Sequence, residues 1–102
     1  MLPLIAERRS EFADICRRFG VRRLAVFGSA ARLVDFDPER SDVDFLVAYE
    51  PAASPALGDF LALREALQAA VGRPVDLVVE GSVRNPFLRA GIERSVETVY
   101  GP

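Results

Sequence analysis

The segment 42–47 alternates acidic and apolar residues, and this pattern constrains the fold of the chain more than any other. Successive side chains of a strand point to opposite faces, so Asp42 and Asp44 are expected side by side on one face. The apolar residues between and after them, Val43, Phe45 and Val47, are expected to point into a core. The sequence therefore predicts a strand with one buried face and two neighbouring carboxylates on the other.

A second segment precedes this strand and ends in a glycine turn. Residues 24–27 are apolar and predict a short buried strand, after which Gly28 and Ser29 predict a turn that opens onto a short helix over 29–33. Backbone N–H groups at a helix start attract anions, and glycine lets a phosphate approach closely. Together the turn and the two carboxylates predict a site for a nucleotide and its metal ions.

Composition limits the class of protein and the chemistry. With 102 residues, half of them apolar, the chain is expected to form a single domain over residues 1–102. A net charge of −2 argues against direct nucleic-acid binding across a broad surface. All 13 basic residues are arginine and there is no histidine, which excludes Schiff-base lysines, phosphate-binding Walker lysines and histidine bases. Carboxylates are left to carry any acid–base step.

The single cysteine and the absence of long apolar runs point to a cytoplasmic protein that does not contact membranes. Cys16 falls at helical spacing with Phe12, Ile15 and Phe19, which predicts a buried thiol instead of a nucleophile. One cysteine forms no internal disulfide, and a reducing compartment is the expectation. No run approaches the roughly 20 residues of a membrane span, and no signal-peptide core is seen at the N-terminus.

Periodicity and breakers predict the remaining elements. A first helix is expected over 3–19, closed by Gly20, and a second begins with Ser54 as N-cap and Pro55 at its first position and ends at Gly72. A last helix is expected over 86–94. Strands are predicted over 21–27, 42–48, 74–80 and 96–100. This order favours an α/β fold with a small mixed sheet flanked by helices.

The second long helix is also supported by residues at helical intervals. These are Leu57, Phe60, Leu61, Arg64, Leu67 and Val71.

Asp76 is a third candidate carboxylate. It occupies the face of the predicted strand 74–80 that is opposite Val75, Leu77 and Val79. If this strand neighbours the strand 42–48, three acids meet, and two charges about 4 Å apart repel by about 4 kcal/mol at an effective dielectric of about 20. Mg²⁺ relieves such repulsion, and two ions suit phosphoryl or nucleotidyl transfer. The alternative for Asp76 is a solvated strand-edge side chain.

Arg32 has two possible roles that the sequence leaves open. It lies one helical turn beyond the predicted anion-binding turn, so it could reach a phosphate, or it could pair on the surface with an acid of the following loop. The paired arginines at 8–9, 17–18 and 22–23 are expected on a solvated face or a protein contact.

Two motifs resemble a known superfamily. Gly-Ser-Ala-Ala-Arg at 28–32, followed by Ser-Asp-Val-Asp and apolar residues at 41–47, resembles the signature of the DNA polymerase beta-like nucleotidyltransferases. The chain most resembles the minimal nucleotidyltransferases, the MNT antitoxins, and residues 85–89 and 99–100 resemble the ending of that group. Leu33 departs from the glycine that many relatives have there. The resemblance implies the palm-like nucleotidyltransferase fold.

The resemblance also implies an activity and a partner. It implies transfer of AMP from ATP, with Mg²⁺, to a hydroxyl of a HEPN toxin, commonly a tyrosine, by the antitoxin of a toxin–antitoxin pair. Gly28, Ser29 and Arg32 match the nucleotide-binding positions, and Asp42 and Asp44 match the metal ligands. Asp76 matches the third carboxylate, which helps bind the catalytic metal and can take the acceptor's proton.

Two other functions remain open at this point. The chain could be an antitoxin that neutralises its partner by binding alone, or a small-molecule nucleotidyltransferase of the aminoglycoside-modifying type. The first is disfavoured because a binding module does not need three mutually repelling acids, and the second because the chain is short for an additional drug-binding structure. The sequence leaves the oligomeric state, the acceptor residue and the number of AMP units undecided.

Overall fold

The computed structural model describes residues 2–28 and 42–101, which form helices on a mixed sheet. In chain order the described elements are α1 Pro3–Glu7, α2 Arg9–Phe19, β1 Val21–Phe27, β2 Val43–Tyr49, α3 Leu57–Val71, β3 Val75–Val79, α4 Pro86–Ser95 and β4 Glu97–Tyr100. The predicted short helix 29–33 lies outside the described residues. Each of the four predicted strands is present, with bounds shifted by at most one residue at either end.

The sheet is mixed, as predicted. Its strand order is β3-β2-β1-β4, with β2 and β3 parallel and β1 antiparallel to both β2 and β4. The two strands that carry the candidate carboxylates are therefore direct neighbours. A parallel pair needs a crossover connection, and here α3 supplies it.

One face of the sheet is covered by α2 and α3 and forms the main core. Val43, Phe45 and Val47 are fully buried on this face, which confirms the period-two prediction for β2. The ring of Phe45 lies 5.8 Å, centroid to centroid, from that of Phe12 of α2. Cys16 is buried in the same core, so the prediction of a buried thiol is confirmed, and burial raises the pKa of this thiol to about 12.

The predicted helix 3–19 is wrong in one respect, because it is divided into α1 and α2 at Arg8. Arg8 leaves helical geometry, with φ −112° and ψ 26°, and its backbone N–H bonds to the carbonyl of Ile5. Its guanidinium Nη1 donates to the carbonyl of Ala70, 2.7 Å away in the last turn of α3. The last carbonyls of a helix lack partners within it and attract cations, so a distant helix end holds Arg8. The end at Gly20, with φ +69°, is confirmed.

The start predicted for α3 is also wrong. Ala56, not Ser54, is the N-cap, and Pro55 therefore precedes the helix. Asp59 stabilises this start because its carboxylate Oδ2 accepts a hydrogen bond from the Ala56 N–H at 2.9 Å. The predicted stop at Gly72 is confirmed, with a left-handed φ of +72°.

The residues at helical intervals in α3 are only partly buried. Leu57 and Leu61 are exposed and Phe60 is half-buried, whereas the buried residues are Leu63, Leu67, Ala70 and Val71. Apolar residues lie on several sides of this helix, so helical spacing alone is compatible with more than one inward face. Packing on α2 and β3 selects among them.

The opposite face of the sheet is only partly covered. Helix α4 begins where predicted, with the Asn85 side chain accepting hydrogen bonds from the N–H groups of Phe87 and Leu88. It packs over β1 and buries Ile92. The face of β2 and β3 that carries Asp44 and Asp76 remains accessible. Within the described ranges, no helix has both the length and the apolar character that crossing a membrane requires.

Candidate active site

The register of β2 and β3 brings two of the predicted acids together. Asp44 and Asp76 are direct Cα partners in the parallel ladder, so their side chains project from the same face of the sheet. Asp44 is half-buried and Asp76 is exposed. Asp76 is thus both a solvent-exposed side chain of the edge strand β3 and the direct neighbour of Asp44.

Asp42 lies just before β2 and is exposed. It is close enough to raise the pKa of Asp44 electrostatically, and it sits where the chain enters the strand. The three acids are therefore arranged as a half-buried carboxylate with two more exposed ones near it.

This environment raises the pKa of the Asp44 carboxyl. Burial, which is the largest cause, and the negative charges of Asp76 and Asp42 together raise its pKa to about 6. Desolvation and like charges both disfavour the ionised carboxylate. A bound cation would oppose both effects.

Gly28 lies next to Asp44 and borders the site. Phe27 pairs with Asp44 across the antiparallel β1–β2 ladder, which places the turn beside the carboxylate. Gly28 has a left-handed φ of +68°, and a Cβ built on it would lie 2.7 Å from Oδ2 of Asp44. Glycine is thus required both for the backbone conformation and for the close approach of Asp44.

Ser95 at the end of α4 is a residue that the sequence analysis did not identify. Its Oγ accepts a hydrogen bond from the Gly28 N–H at 3.0 Å and donates to the carbonyl of Gly91 at 3.2 Å. This contact joins the end of α4 to the glycine turn. No motif marks Ser95, and its separation from Gly28 in the chain leaves no local signal that could have revealed it.

The acids suit a hard cation without forming a complete binding site. Among residues 2–28 and 42–101, no group of three or more acidic, cysteine or histidine side chains is arranged to hold a metal ion by itself. Mg²⁺ commonly takes one or two carboxylates together with substrate phosphates, and a pair of oxygen-donor side chains fits that mode. Ser29 and Arg32, the other candidate nucleotide-binding residues, lie outside the described part of the chain.

A cavity of about 300 Å³ opens on the same face of the sheet, between β2 and α4. Its floor includes Leu46, and Val83 and Ile92 form apolar walls. At its rim Arg23 lies 3.7 Å from the carboxylate of Glu80 and donates to the hydroxyl of Thr98 at 3.1 Å. Leu46 follows Asp44 by one strand repeat, so the cavity lies on the face of the carboxylates and about 7 Å further along β2.

The fold and site together define a class of protein. A small mixed sheet with acids on two adjacent parallel strands, next to a glycine turn, is the arrangement expected of a palm-type nucleotidyltransferase. The model of the nucleotidyltransferase domain family matches residues 9–98, and the chain belongs to this family.

Known relatives agree with this assignment. The protein adenylyltransferase MntA of Thermococcus cleftensis is 43% identical over 89 residues, which cover 85% of this chain and 81% of MntA. Among solved structures, one of a predicted minimal nucleotidyltransferase has a TM-score of 0.70 at 37% identity, covering 89% of this chain and 88% of that one.

A third similarity is to the fold of one chain in the structure of a toxin–antitoxin complex. The structure of a tri-AMPylated Shewanella oneidensis HEPN toxin with its MNT antitoxin gives a TM-score of 0.67 at 18% identity, covering 96% of this chain and 73% of that one. The predicted fold, the resemblance to minimal nucleotidyltransferases and the enzyme class are confirmed by these comparisons.

Proposed function

We propose that this protein transfers AMP from ATP to a hydroxyl of a partner protein, and that it acts as the antitoxin of a toxin–antitoxin pair in the cytoplasm. The observation that carries the proposal is the pairing of Asp44 and Asp76 across β2 and β3, beside Gly28. The adenylyltransferase activity of the relative MntA supports the nature of the transferred group, and the HEPN–MNT complex supports the class of partner.

In this mechanism the three acids bind the metal ions. Asp42 and Asp44 would hold Mg²⁺, and Asp76 would join them at the catalytic ion. Two Mg²⁺ ions, when bound, would lower the acceptor's pKa and offset negative charge on the departing pyrophosphate. Gly28 and Ser29, with Arg32, would hold the triphosphate.

The covalent step is an in-line displacement. The acceptor hydroxyl oxygen forms a bond to the α-phosphorus, and the bond from that phosphorus to the bridging oxygen of pyrophosphate breaks. The hydroxyl proton passes to the carboxylate of Asp76, which is the more exposed of the paired acids. The products are an AMP ester of the acceptor and pyrophosphate. A tyrosine of a HEPN toxin is the acceptor that we propose.

The test is AMP transfer to the cognate partner, followed by intact-protein mass spectrometry. Wild type should add AMP to the partner when ATP and Mg²⁺ are present. We expect Asp44→Asn to reduce the rate by about 1,000-fold, equivalent to about 4 kcal/mol of transition-state stabilisation. Glu65→Gln, which removes an exposed acid from α3, is the matched control and should leave the rate unchanged.

Two outcomes would overturn the proposal. Equal adenylylation of the partner by wild type and Asp44→Asn would remove the acids from the mechanism. If both variants neutralise the partner and neither transfers AMP, the protein acts by occlusion.

A further inference from the structure

The cavity between β2 and α4 lies on the side of Asp44 that faces away from the glycine turn. Gly28 adjoins Asp44 at the start of β2, whereas Leu46 in the cavity floor follows Asp44 by two residues, or about 7 Å along the strand. Glu80 at the cavity rim follows directly after β3, four residues beyond Asp76. The order along this face is therefore the turn, the carboxylates and then the cavity.

This order matches the geometry of an in-line displacement. In the proposed function the leaving pyrophosphate lies at the Gly28 turn and the α-phosphate at the carboxylates. The attacking oxygen approaches opposite the leaving oxygen. The acceptor then reaches the α-phosphate from the side where the cavity opens.

The lining of the cavity selects the kind of acceptor. Leu46, Val83 and Ile92 offer an apolar surface, and the charged side chains Glu80, Arg89 and Glu93 lie around it. A volume of about 300 Å³ is at the small end for a ligand site and suits one large side chain. An aromatic ring with a polar tip fits such a surface, since the ring packs on the apolar walls and the hydroxyl stays outside the apolar lining, on the side of the carboxylates.

Two exposed apolar residues of α4, the helix that forms one side of the cavity, indicate that the acceptor is part of a protein. Phe87 is 86% exposed and Leu88 is 56% exposed in the first turn of α4, which precedes the part of the helix that lines the cavity. Large apolar side chains exposed together are typical of a surface that a partner covers. A free small molecule held in the cavity would leave both of them in water.

We propose that the cavity between β2 and α4 receives the aromatic side chain of the acceptor protein, and that the chain around it packs on Phe87 and Leu88. This inference rests on the proposed function and names the acceptor subsite of the same active site. The floor and walls hold the ring, so that its hydroxyl oxygen is directed toward Asp76 and the α-phosphate.

Filling the cavity tests the inference. Val83 is half-buried in the loop before α4 and lines the cavity, so the larger side chain of Val83→Trp would reduce the cavity's free volume. We expect the KM for the partner protein to rise at least about tenfold, or about 1.4 kcal/mol, with the KM for ATP within about twofold of wild type. Ala69→Trp is the matched control, since it places the same indole ring in a groove of about 310 Å³ between α2 and α3, on the opposite face.

A double variant and its control test the exposed surface of α4 without changing the core. The double variant Phe87→Ser, Leu88→Ser should have a KM for the partner protein that is about tenfold higher than that of wild type. The melting temperature of the variant and its KM for ATP should be unchanged. Leu57→Ser is the control because Leu57 is also exposed, at 73%, but lies at the start of α3. It should change neither KM.

The possible failures are distinguishable. An unchanged partner KM in Val83→Trp, when Asp44→Asn is inactive, would overturn the acceptor subsite and leave the proposed function intact. A rise in the KM for ATP alone would instead assign the cavity to the nucleotide base and overturn the inference. If wild type transfers no AMP to its partner, the proposed function itself fails.

Discussion

The two faces of the sheet differ in what their side chains do, although they are built from the same strands. On the face covered by α2 and α3, Phe45 and the other β2 side chains that point to this face are buried. The ring of Phe45 packs against the ring of Phe12. On the opposite face, Asp44 is half-buried beside Asp76 and its carboxyl has a raised pKa. Because a strand alternates its side chains between two faces, neighbouring residues of β2 have different roles. Those on the covered face stabilise the fold, and Asp44 on the open face is available for chemistry.

Truncation of the core side should produce the largest loss of stability. Phe45→Ala removes a fully buried ring that contacts Phe12 and leaves a cavity, so the free energy of unfolding should fall by about 3–5 kcal/mol. Urea denaturation followed by circular dichroism measures this change. Leu46→Ala, at the next position on the open face, should cost much less, and an equal cost for both would contradict the difference between the faces.

Gly28 is the position where the open face is least tolerant of a side chain. Gly28→Ala combines a positive φ with a Cβ 2.7 Å from Asp44 Oδ2, so the turn or the carboxylate must move. We expect AMP transfer to fall about 100-fold, or about 2.7 kcal/mol. Gly72→Ala is the control, because Gly72 also has a positive φ but a Cβ added there would meet nothing within 4 Å. Similar losses of transfer in the two variants would refute the role of the Asp44 contact.

Ser95 should have a smaller effect that acts through the glycine turn. Ser95→Ala removes the acceptor of the Gly28 N–H, and we expect kcat to fall about tenfold with little change in the KM for the partner. Ser95→Thr keeps an Oγ and should restore most of the rate. A general loss of stability without a change in kcat would mean that the hydrogen bond only supports the fold.

The acidity of Asp44 predicts the smallest effect, measured without metal. Its pKa is about 6 in the folded protein and about 3.9 in an unfolded chain, so the folded state binds the proton more tightly. Stability therefore falls as pH rises from about 4 to about 6, and the full cost of the ionised carboxylate persists above pH 6.

The measurement is the melting temperature in EDTA at several pH values. Asp44→Asn should be more stable than wild type at pH 7, by on the order of 1 kcal/mol after allowance for solvent screening, and the difference should vanish below about pH 4. Glu65→Gln should show no such pH-dependent gain. An equal gain at pH 4 and pH 7 would attribute the effect to something other than charge.

Local patterns were sufficient for several features of the fold. The alternation around Asp44 assigned the two faces of β2, and Gly20 and Gly72 marked the helix ends because a left-handed residue there needs no distant contact. The Asn85-Pro86 pair gave the start of α4 for the same reason, since an N-cap bonds to N–H groups within its own first turn.

Contacts between distant segments decided the rest. Arg8 divides the first helix because it binds a carbonyl at the end of α3, and the inward face of α3 depends on the surfaces it packs against. The sequence by itself determined which side chains share a face, a consequence of the repeat of a single strand or helix. Only the tertiary structure placed Asp76 beside Asp44 and joined Ser95 to Gly28, because strand register and helix docking depend on partners that no local repeat specifies.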